Sequence, residues 1–358
     1  MQVILNISFY GAAWGGSFIP SLIALEKATL SQGASMVFVF PKMGQQLEWA
    51  KKFPNAIYMD NDFFLKRNPS LKYVQQLYTI IKHYNITHVV TNFIGYNVNL
   101  WVLKKIVNMP FTQVVHNTFH RPSPNKLKCY AKLKLLEQTY DKFVGVSEWA
   151  ATSLKNNGLN SQKVTYVTNA IDMERLKSWE KITLKKSKDE YVVFMLGWPY
   201  YVKGVDLAIR AIKHLRMEGH NIVLVTPHHN IKHDLLTDLG EIPSFLRFVP
   251  AREDIATYYN ACDLFLSASR EEGYSYGIVE ATVSNCVVLS SNISAPMSMK
   301  IPKMIFFESG NVEDLIDKIK YCMLNKEQNL SFKSKQRDYI LQEFSMNEWA
   351  INMLNNII

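Results

Sequence analysis

Two glutamates eight positions apart frame the part of this sequence that is richest in chemical groups. Glu272 and Glu280 enclose a loop of glycine and aromatic residues that follows the apolar run Leu264–Ser267 and leads into a helical pattern. A carboxylate in the first turns of a helix can accept hydrogen bonds from two ribose hydroxyls, as in other nucleotide sites. Glycine in the loop lets the backbone approach a ligand. The pattern therefore indicates a nucleotide site.

Two further loops have the composition of phosphate sites. Lys203-Gly204 closes the segment GWPYYVKG before a helical pattern, and a lysine there adds its charge to the positive end of the helix dipole. Gly15 and Gly16 stand between the first apolar run and the first helical pattern, where backbone N–H groups can meet negative charge. A solvated lysine and a simple tight turn are the plain alternatives.

A histidine adds a candidate for catalysis. His116 directly follows the apolar run Thr112–Val115, so its imidazole can exchange a hydrogen bond with a substrate hydroxyl. Taken alone, a histidine at the end of a strand is more often structural.

These residues all come just after apolar runs, and that is where ligands bind in an open parallel sheet. Short apolar runs alternate with amphipathic stretches twice along the chain, which predicts two Rossmann-like α/β units. The predicted strands are Val3–Ser8, Met36–Val39, His88–Thr91, Thr112–Val115 and Lys142–Val146 in the first unit, and Tyr191–Leu196, Ile222–Thr226, Leu246–Val249, Leu264–Ser267 and Val287–Ser290 in the second.

The charged stretch SWEKITLKKSKDE, Ser178–Glu190, has no sustained pattern and is the predicted linker. We therefore expect domains over residues 1–178 and 190–345. The last stretch, residues 346–358, is predicted as a helix without a following strand, and Trp349, Met353 and Leu354 share one of its faces. We expect this helix to cross back and pack on the first domain.

Composition narrows the class of protein. The 358 residues are 48% hydrophobic, and the four cysteines are too scattered for a zinc knuckle or a disulfide framework. The first residues lack the basic start of a signal peptide, and no apolar run reaches the roughly 18 residues of a membrane span. These features predict a globular protein of a reducing, cytoplasmic compartment.

The net charge of +9 is unevenly distributed. Residues 1–178 contain 20 Lys and Arg against 9 Asp and Glu, whereas residues 179–358 contain 20 against 22. The basic excess includes Arg121 and a predicted helix that carries Lys126, Lys128, Lys132 and Lys134 among leucines. Such a helix can lie on an anionic membrane surface; alternatively, its leucines only cover the sheet. A nucleic-acid partner does not explain the carboxylates and the Lys-Gly loop in the other half.

Together these motifs resemble the retaining family 4 glycosyltransferases, which have the GT-B fold, along nearly the whole chain. Glu272 to Glu280 matches the E-x7-E motif of the family, and Lys203-Gly204 matches the loop after the first strand of its second domain. Weaker matches are Gly15-Gly16, VTNAID at 167–172 and FSMNEW at 344–349. Their order and spacing agree with the family.

The resemblance implies a role for each matched residue. Glu280 would hold the ribose and Lys203 the diphosphate, while Glu272 and the backbone of residues 274–276 would hold the donor sugar. His116 would contact the sugar near the reacting carbon. Gly16 of the glycine pair would contact the diphosphate, and so would the backbone N–H groups of Ile278 and Val279. The family needs no metal or cofactor, because cationic groups and the helix end stabilise the leaving diphosphate.

Three positions depart from the family pattern. Trp198 stands where the family usually has an arginine, and Arg270 is our candidate substitute for that charge. Ser275, between Tyr274 and Tyr276, and Asn285 both stand where glycine is common in the family.

The expected function is transfer of a hexose or related sugar from a nucleotide diphosphate sugar, with retention of configuration. UDP is the favoured nucleotide and GDP the other candidate. The expected acceptor is a lipid-linked or other glycan at the inner face of the membrane, in polysaccharide or glycolipid synthesis. The alternatives are a non-catalytic GT-B partner subunit, a transferase for a soluble protein or glycan, and a nucleotide-sugar epimerase.

Overall fold

The computed structural model describes residues 1–65, 68–120, 125–177 and 181–358. The chain forms two compact α/β units. The first comprises Met1–Ala170 together with Met346–Ile358, and the second comprises Ile171–Ser345. Each is described by itself below.

The first unit has a parallel sheet in the order β3-β2-β1-β4-β5-β6-β7. Its strands are β1 Val3–Ser8, β2 Ser35–Pro41, β3 Ile57–Met59, β4 His88–Asn92, β5 Phe111–Val115, β6 Lys142–Gly145 and β7 Val164–Tyr166. Its helices are α1 Phe18–Ser31, α2 Asn61–Leu65, α3 Leu71–His83, α4 Val98–Ile106, α5 Lys126–Thr139 and α6 Glu148–Asn156, and α15 Met346–Ile357 at the end of the chain. From β1 to β3 successive strands are added towards one edge of the sheet, and from β4 to β7 towards the other edge. The topological switch point therefore lies between β1 and β4.

The second unit repeats this plan in the order β10-β9-β8-β11-β12-β13, again with every pair parallel. Its strands are β8 Tyr191–Phe194, β9 Ile222–Thr226, β10 Leu246–Phe248, β11 Leu264–Ser267, β12 Val288–Ser291 and β13 Ile305–Phe307. Its helices are α7 Val205–Met217, α8 Lys232–Leu239, α9 Ala256–Ala261, α10 Tyr276–Val283, α11 Ser294–Ser298, α12 Val312–Leu324, α13 Lys326–Ser331 and α14 Lys333–Glu343. Its switch point lies between β8 and β11.

The central strands are buried on both faces because helices cover each side of a parallel sheet. In the first unit, every residue of β1 is buried. In the second unit, β9 and β11 are buried along their whole length and pack against the apolar side of α7, which carries Leu207, Ala211 and Leu215. These two cores fix the strand ends, and therefore the loops that carry the candidate residues.

The final helix α15 belongs to the first unit, where it packs against α1. Trp349, Met353 and Leu354 are all buried on it. The second unit begins at Ile171, eight residues before the expected boundary, and the Ile171 N–H donates to the carbonyl oxygen of Phe344 in the same unit.

Three short strands, β3, β7 and β13, were not predicted, and each is only three residues long and lies at the edge of its sheet. Within the described ranges, no helix is both long enough and apolar enough to cross a membrane.

Candidate functional site

The switch point of the second unit brings together the loop after β8 and the loop after β11. Gly204 has a φ of +66°, and a Cβ atom on it would lie 2.1 Å from the carbonyl oxygen of Ala268, directly after β11. Only glycine fits this close approach of two backbones. The fit fixes Lys203 beside the loop that begins at Ala268.

Lys203 and Glu272 form an ion pair in this corner. The Lys203 ammonium lies 2.5 Å from Glu272 Oε1, and the Ser269 hydroxyl donates to the same oxygen at 2.7 Å. Both side chains are mostly buried, at 24% and 12% exposure. A buried carboxylate with two donors is held in one orientation. The two charges that were assigned to diphosphate and sugar are therefore direct neighbours.

Most of the predicted donor residues line one cavity of about 180 Å³. Its walls include Lys203, Glu272, Tyr274, Ser275, Tyr276 and Ile278. The Tyr274 hydroxyl and Ser275 Oγ are buried, and neither has a hydrogen-bond partner among the residues that the structure describes. Burial raises the pKa of Tyr274 well above its ordinary value, so its hydroxyl keeps its proton. Two polar groups that are buried without partners favour a ligand that supplies them.

Glu280 is placed differently from the rest. It lies inside α10 with 4% of its side chain exposed and is not among the residues that line this cavity. Its carboxylate is paired with the Arg175 guanidinium, and Oε2 accepts from the Tyr259 hydroxyl at 3.2 Å. Arg175 and Tyr259 belong to the same unit, and sequence reasoning missed both. No local pattern links positions 105 residues apart.

Arg270, our candidate substitute for the missing arginine, is bound to another side chain of the second unit. Its guanidinium forms two 2.7 Å hydrogen bonds to the Asp206 carboxylate and lies 3.9 Å over the ring of Tyr201. It is not among the residues that line the cavity. Trp198, at the position of the family arginine, is 54% exposed. Arg270 therefore anchors its own loop, after β11, to the loop after β8 and to the start of α7.

The N–H groups of Ile278 and Val279 are also engaged. Both donate to the carbonyl oxygen of Ser275, at 3.1 and 3.4 Å. They serve the first turn of α10, and in this structure they are not presented to a phosphate. The expectation that they receive the diphosphate would need this turn to open.

The first unit carries its own cluster, at the switch point between β1 and β4. Gly16 has a φ of +55° just before α1, and the Tyr10 hydroxyl lies within hydrogen-bond distance of the carbonyl oxygens of Trp14 and Gly15, at 2.9 and 3.0 Å. The glycine pair thus forms a tight turn, which the Tyr10 hydroxyl stabilises by hydrogen bonding.

His116 lies over a buried polar network in this unit. Its Nε2 is 3.0 Å from Asn92 Oδ1, and the Asn92 amide nitrogen donates to Asn6 Oδ1 and Ser8 Oγ. Since the Asn92 amide nitrogen is the donor in those two bonds, Oδ1 is left to accept, and His116 carries its proton on Nε2. Its Nδ1 then offers a lone pair.

Aromatic rings enclose this histidine. Phe93 stacks on it with ring centroids 3.9 Å apart, and Phe18 meets its edge at 5.5 Å. Phe93 has a φ of +58°, which is strained for an aromatic residue and marks functional positions. Burial lowers the pKa of His116 to about 3, so the imidazole is neutral near pH 7. Sequence reasoning missed Asn92 and Phe93; the side chain of Asn92 is polar at the end of a buried strand, which was the available signal.

The basic helix is α5. Lys126, Lys128 and Lys134 are exposed on it, and Leu127 and Tyr130 are exposed beside them, at 78% and 64%. Lys132 is half-buried, with its ammonium 5.3 Å from the centre of the Tyr96 ring. Arg121 lies outside the described residues. Three of the four lysines therefore share the solvent side with apolar side chains.

Two parallel-sheet units, each with polar groups at its switch point, define the GT-B class of glycosyltransferase fold. The family model described as Glycosyltransferase Family 4 matches residues 24–175, and the model described as Glycosyl transferases group 1 matches residues 178–339. The chain belongs to this family, the GT-B glycosyltransferases of group 1.

Solved structures share this fold. Anabaena HepE, crystallised with UDP and glucose, has a TM-score of 0.77 and 15% identity over 99% of both chains. WaaG, a glycosyltransferase involved in lipopolysaccharide biosynthesis, has a TM-score of 0.69 and 13% identity over 98% of this chain and 99% of its own. The O-antigen biosynthesis glycosyltransferase WclY of Escherichia coli is 26% identical over 161 residues, which are 43% of this chain and 44% of WclY. The likeness to this curated relative thus spans less than half of its length.

Proposed function

We propose that this protein is a retaining, metal-independent glycosyltransferase that moves a hexose from a UDP-sugar to a glycan acceptor. The observation that carries the proposal is the cavity at the switch point of the second unit. There a lysine, a carboxylate and two unpartnered hydroxyls converge at the start of α10. This is the set of groups that a sugar diphosphate needs: a cation for the phosphates, and acceptors and donors for sugar hydroxyls.

The comparisons support the substrate class. HepE was crystallised with UDP and glucose, which favours a UDP-hexose as the donor here. WclY takes part in O-antigen biosynthesis and WaaG in lipopolysaccharide biosynthesis. We propose by analogy that this protein contributes to a surface polysaccharide or glycolipid, from the cytoplasmic side of the membrane.

The proposed chemistry follows from charge. When the bond between the sugar C1 and the diphosphate oxygen breaks, negative charge grows on the leaving group, and we expect Lys203 to stabilise that charge. Glu272, released from Lys203 as the phosphates take its place, would accept hydrogen bonds from the sugar hydroxyls. The acceptor hydroxyl forms the new bond to C1, and its proton leaves with the diphosphate. In this proposal Lys203 supplies the stabilisation without a metal, and the N–H groups at the start of α10 join it if the first turn opens.

The test is a panel of UDP- and GDP-hexoses with the full chain, with and without EDTA. We expect slow hydrolysis of at least one UDP-hexose that EDTA does not reduce. NMR of the freshly released sugar should show the anomeric configuration of the donor. Glu272→Gln should lower the rate by tenfold or more, as expected for loss of a charged hydrogen-bond partner, roughly 1.5–3 kcal/mol.

The same panel can reject the proposal. Binding of a nucleotide sugar without hydrolysis or transfer to any lipid-linked glycan would favour a non-catalytic subunit. Turnover that disappears with EDTA would overturn metal independence, and an inverted product would overturn retention.

A further inference from the structure

A histidine in the second unit has a hydrogen-bond donor that no described residue uses. His228 follows β9, the neighbour of β8 in the sheet, so it lies at the same carboxyl edge as the loop after β8. The backbone N–H of Gly197, in that loop, donates to His228 Nδ1 at 3.2 Å. Since a backbone N–H can only donate, Nδ1 must be unprotonated, and the ring carries its proton on Nε2.

The residues around His228 keep its ring neutral, with the proton on Nε2. The His228 backbone N–H donates to Thr226 Oγ1, and a Cβ atom on Gly197 would lie 3.2 Å from that same oxygen, so Gly197 is closely packed against the end of β9. Burial and the nearby charge of Lys203 lower the pKa of His228 to about 4. The imidazole is therefore neutral at pH 7, with one fixed donor.

That donor, Nε2–H, has no hydrogen-bond partner in the described part of the chain, although the ring is only partly exposed. Gly197, which is hydrogen-bonded to this ring, belongs to the same loop after β8 as Lys203. The loop after β8 lacks the arginine expected at position 198, and Arg270 is bound to Asp206. A second donor for an anion beside Lys203 must therefore come from another element.

We propose that His228 belongs to the donor site and donates Nε2–H to a phosphate oxygen of the nucleotide diphosphate next to Lys203. This rests on the proposed function, since it takes the diphosphate to be the ligand of Lys203. The histidine supplies the second phosphate contact that an arginine at position 198 would make. It does so from the end of β9, where the sequence reads Thr226-Pro227-His228.

The test compares two substitutions at His228 with one at its neighbour. His228→Phe keeps a flat ring but removes both ring nitrogens, and His228→Gln can place an amide donor near the position of Nε2. His229→Phe is the matched control, because His229 is exposed and bonds the carbonyl oxygen of Val249. The dissociation constant for UDP is measured by calorimetry, and binding of uridine, which has no phosphate, by ligand-observed NMR at millimolar concentration.

We expect His228→Phe to bind UDP about tenfold or more weakly, in the range for loss of one hydrogen bond to a charged group. His228→Gln should recover most of that loss, His229→Phe should bind UDP like the wild type, and all should bind uridine alike. Thermal denaturation checks that each variant is folded.

Three outcomes overturn the inference while leaving the proposed function intact. These are unchanged UDP affinity in His228→Phe, an equal loss in His229→Phe, and a loss that is as large for uridine as for UDP. If the wild type binds GDP and not UDP, the comparison is made with GDP and guanosine. If it binds neither nucleotide, the proposed function fails and the inference fails with it.

Discussion

The buried carboxylate of Glu280 is held by other side chains of the second unit. A carboxylate with 4% exposure is costly unless it is paired, and Arg175 and Tyr259 supply that pairing. The fold therefore fixes the Glu280 carboxylate within the second unit, although Glu280 does not line the cavity that holds Lys203. Its contact with the ribose stays a prediction.

We expect the pair to stabilise the second unit. Replacing Arg175 by Met, or Glu280 by Gln, leaves one buried polar group unpaired, which costs about 3–5 kcal/mol for a fully buried pair. Because Arg175 is 18% exposed, we expect about 2–3 kcal/mol for each. The double variant should lose clearly less than the sum of the two. Urea unfolding at pH 7 measures all three, and purely additive losses would show that the pair is not coupled.

His116 predicts a pH dependence of stability. Its pKa is lowered to about 3 in the folded chain from an ordinary value of 6.5. Between these values the unfolded chain binds a proton that the folded chain does not. The free energy of unfolding should therefore fall as the pH drops from 6.5 towards 3, by at most about 1.4 kcal/mol per pH unit for this one group.

The measurement is urea unfolding at several pH values for the wild type and His116→Gln. The variant should show a shallower slope, but a slope should remain because burial also lowers the pKa of His228, to about 4. The same substitution at exposed His233 controls for the loss of one histidine. A wild-type slope in His116→Gln would mean that this histidine is not held neutral by the fold.

At the scale of elements, the start of α7 depends on the contact between Gly204 and Ala268. Gly204 and Gly240 have similar backbone angles, with φ of +66° and +73°, but only Gly204 is crowded. Gly240→Ala should cost only the left-handed strain, about 1–2 kcal/mol. Gly204→Ala should cost at least about 2 kcal/mol more, because backbone must move. It should also weaken UDP binding through Lys203. Equal losses of stability in chemical denaturation would show that the two loops can separate freely.

A strand could be predicted where its own sequence is a continuous apolar run. The predicted bounds of β1, β9 and β11 agree with the structure, because each is an apolar run covered on both faces. The edge strand β13 has only three residues and was not predicted, although β10, an edge strand of the same length, was. The loops that carry Lys203, Glu272 and His116 followed from the strand ends.

The side-chain partners of the candidate site residues could not be predicted from the sequence. Arg175 pairs with Glu280, Asp206 with Arg270, and Asn92 with His116. These pairs join positions that are 105, 64 and 24 residues apart. The folded core decides such contacts, and no local spacing encodes them. The ion pair of Arg270 with Asp206 could not be predicted for this reason, and the role of Arg270 towards the donor stays a prediction.

On the scale of the whole molecule, the basic excess of residues 1–178 is presented partly by α5. Lys126, Lys128 and Lys134 are exposed there together with Leu127 and Tyr130. Exposed lysines beside exposed apolar side chains suit an anionic bilayer surface, where the lysines meet lipid headgroups and the apolar groups enter the interface. This supports our proposal that the acceptor is held at a membrane.

Changing Lys126, Lys128 and Lys134 to glutamine should therefore weaken binding to anionic vesicles. Each lysine near such a surface contributes about 1 kcal/mol, so the three together correspond to roughly a hundredfold in partitioning. Lys132 is left in place because it lies against Tyr96.

The control changes Lys188, Lys213 and Lys335, three exposed lysines of the second unit, and removes the same total charge. Sedimentation with vesicles at low and moderate salt should separate the two variants, since screening weakens only the electrostatic part. Hydrolysis of the UDP-sugar without acceptor should be equal in both, because none of the six lysines lines the cavity. Equal vesicle binding by the two variants would show that net charge, and not α5, attracts the protein to the surface.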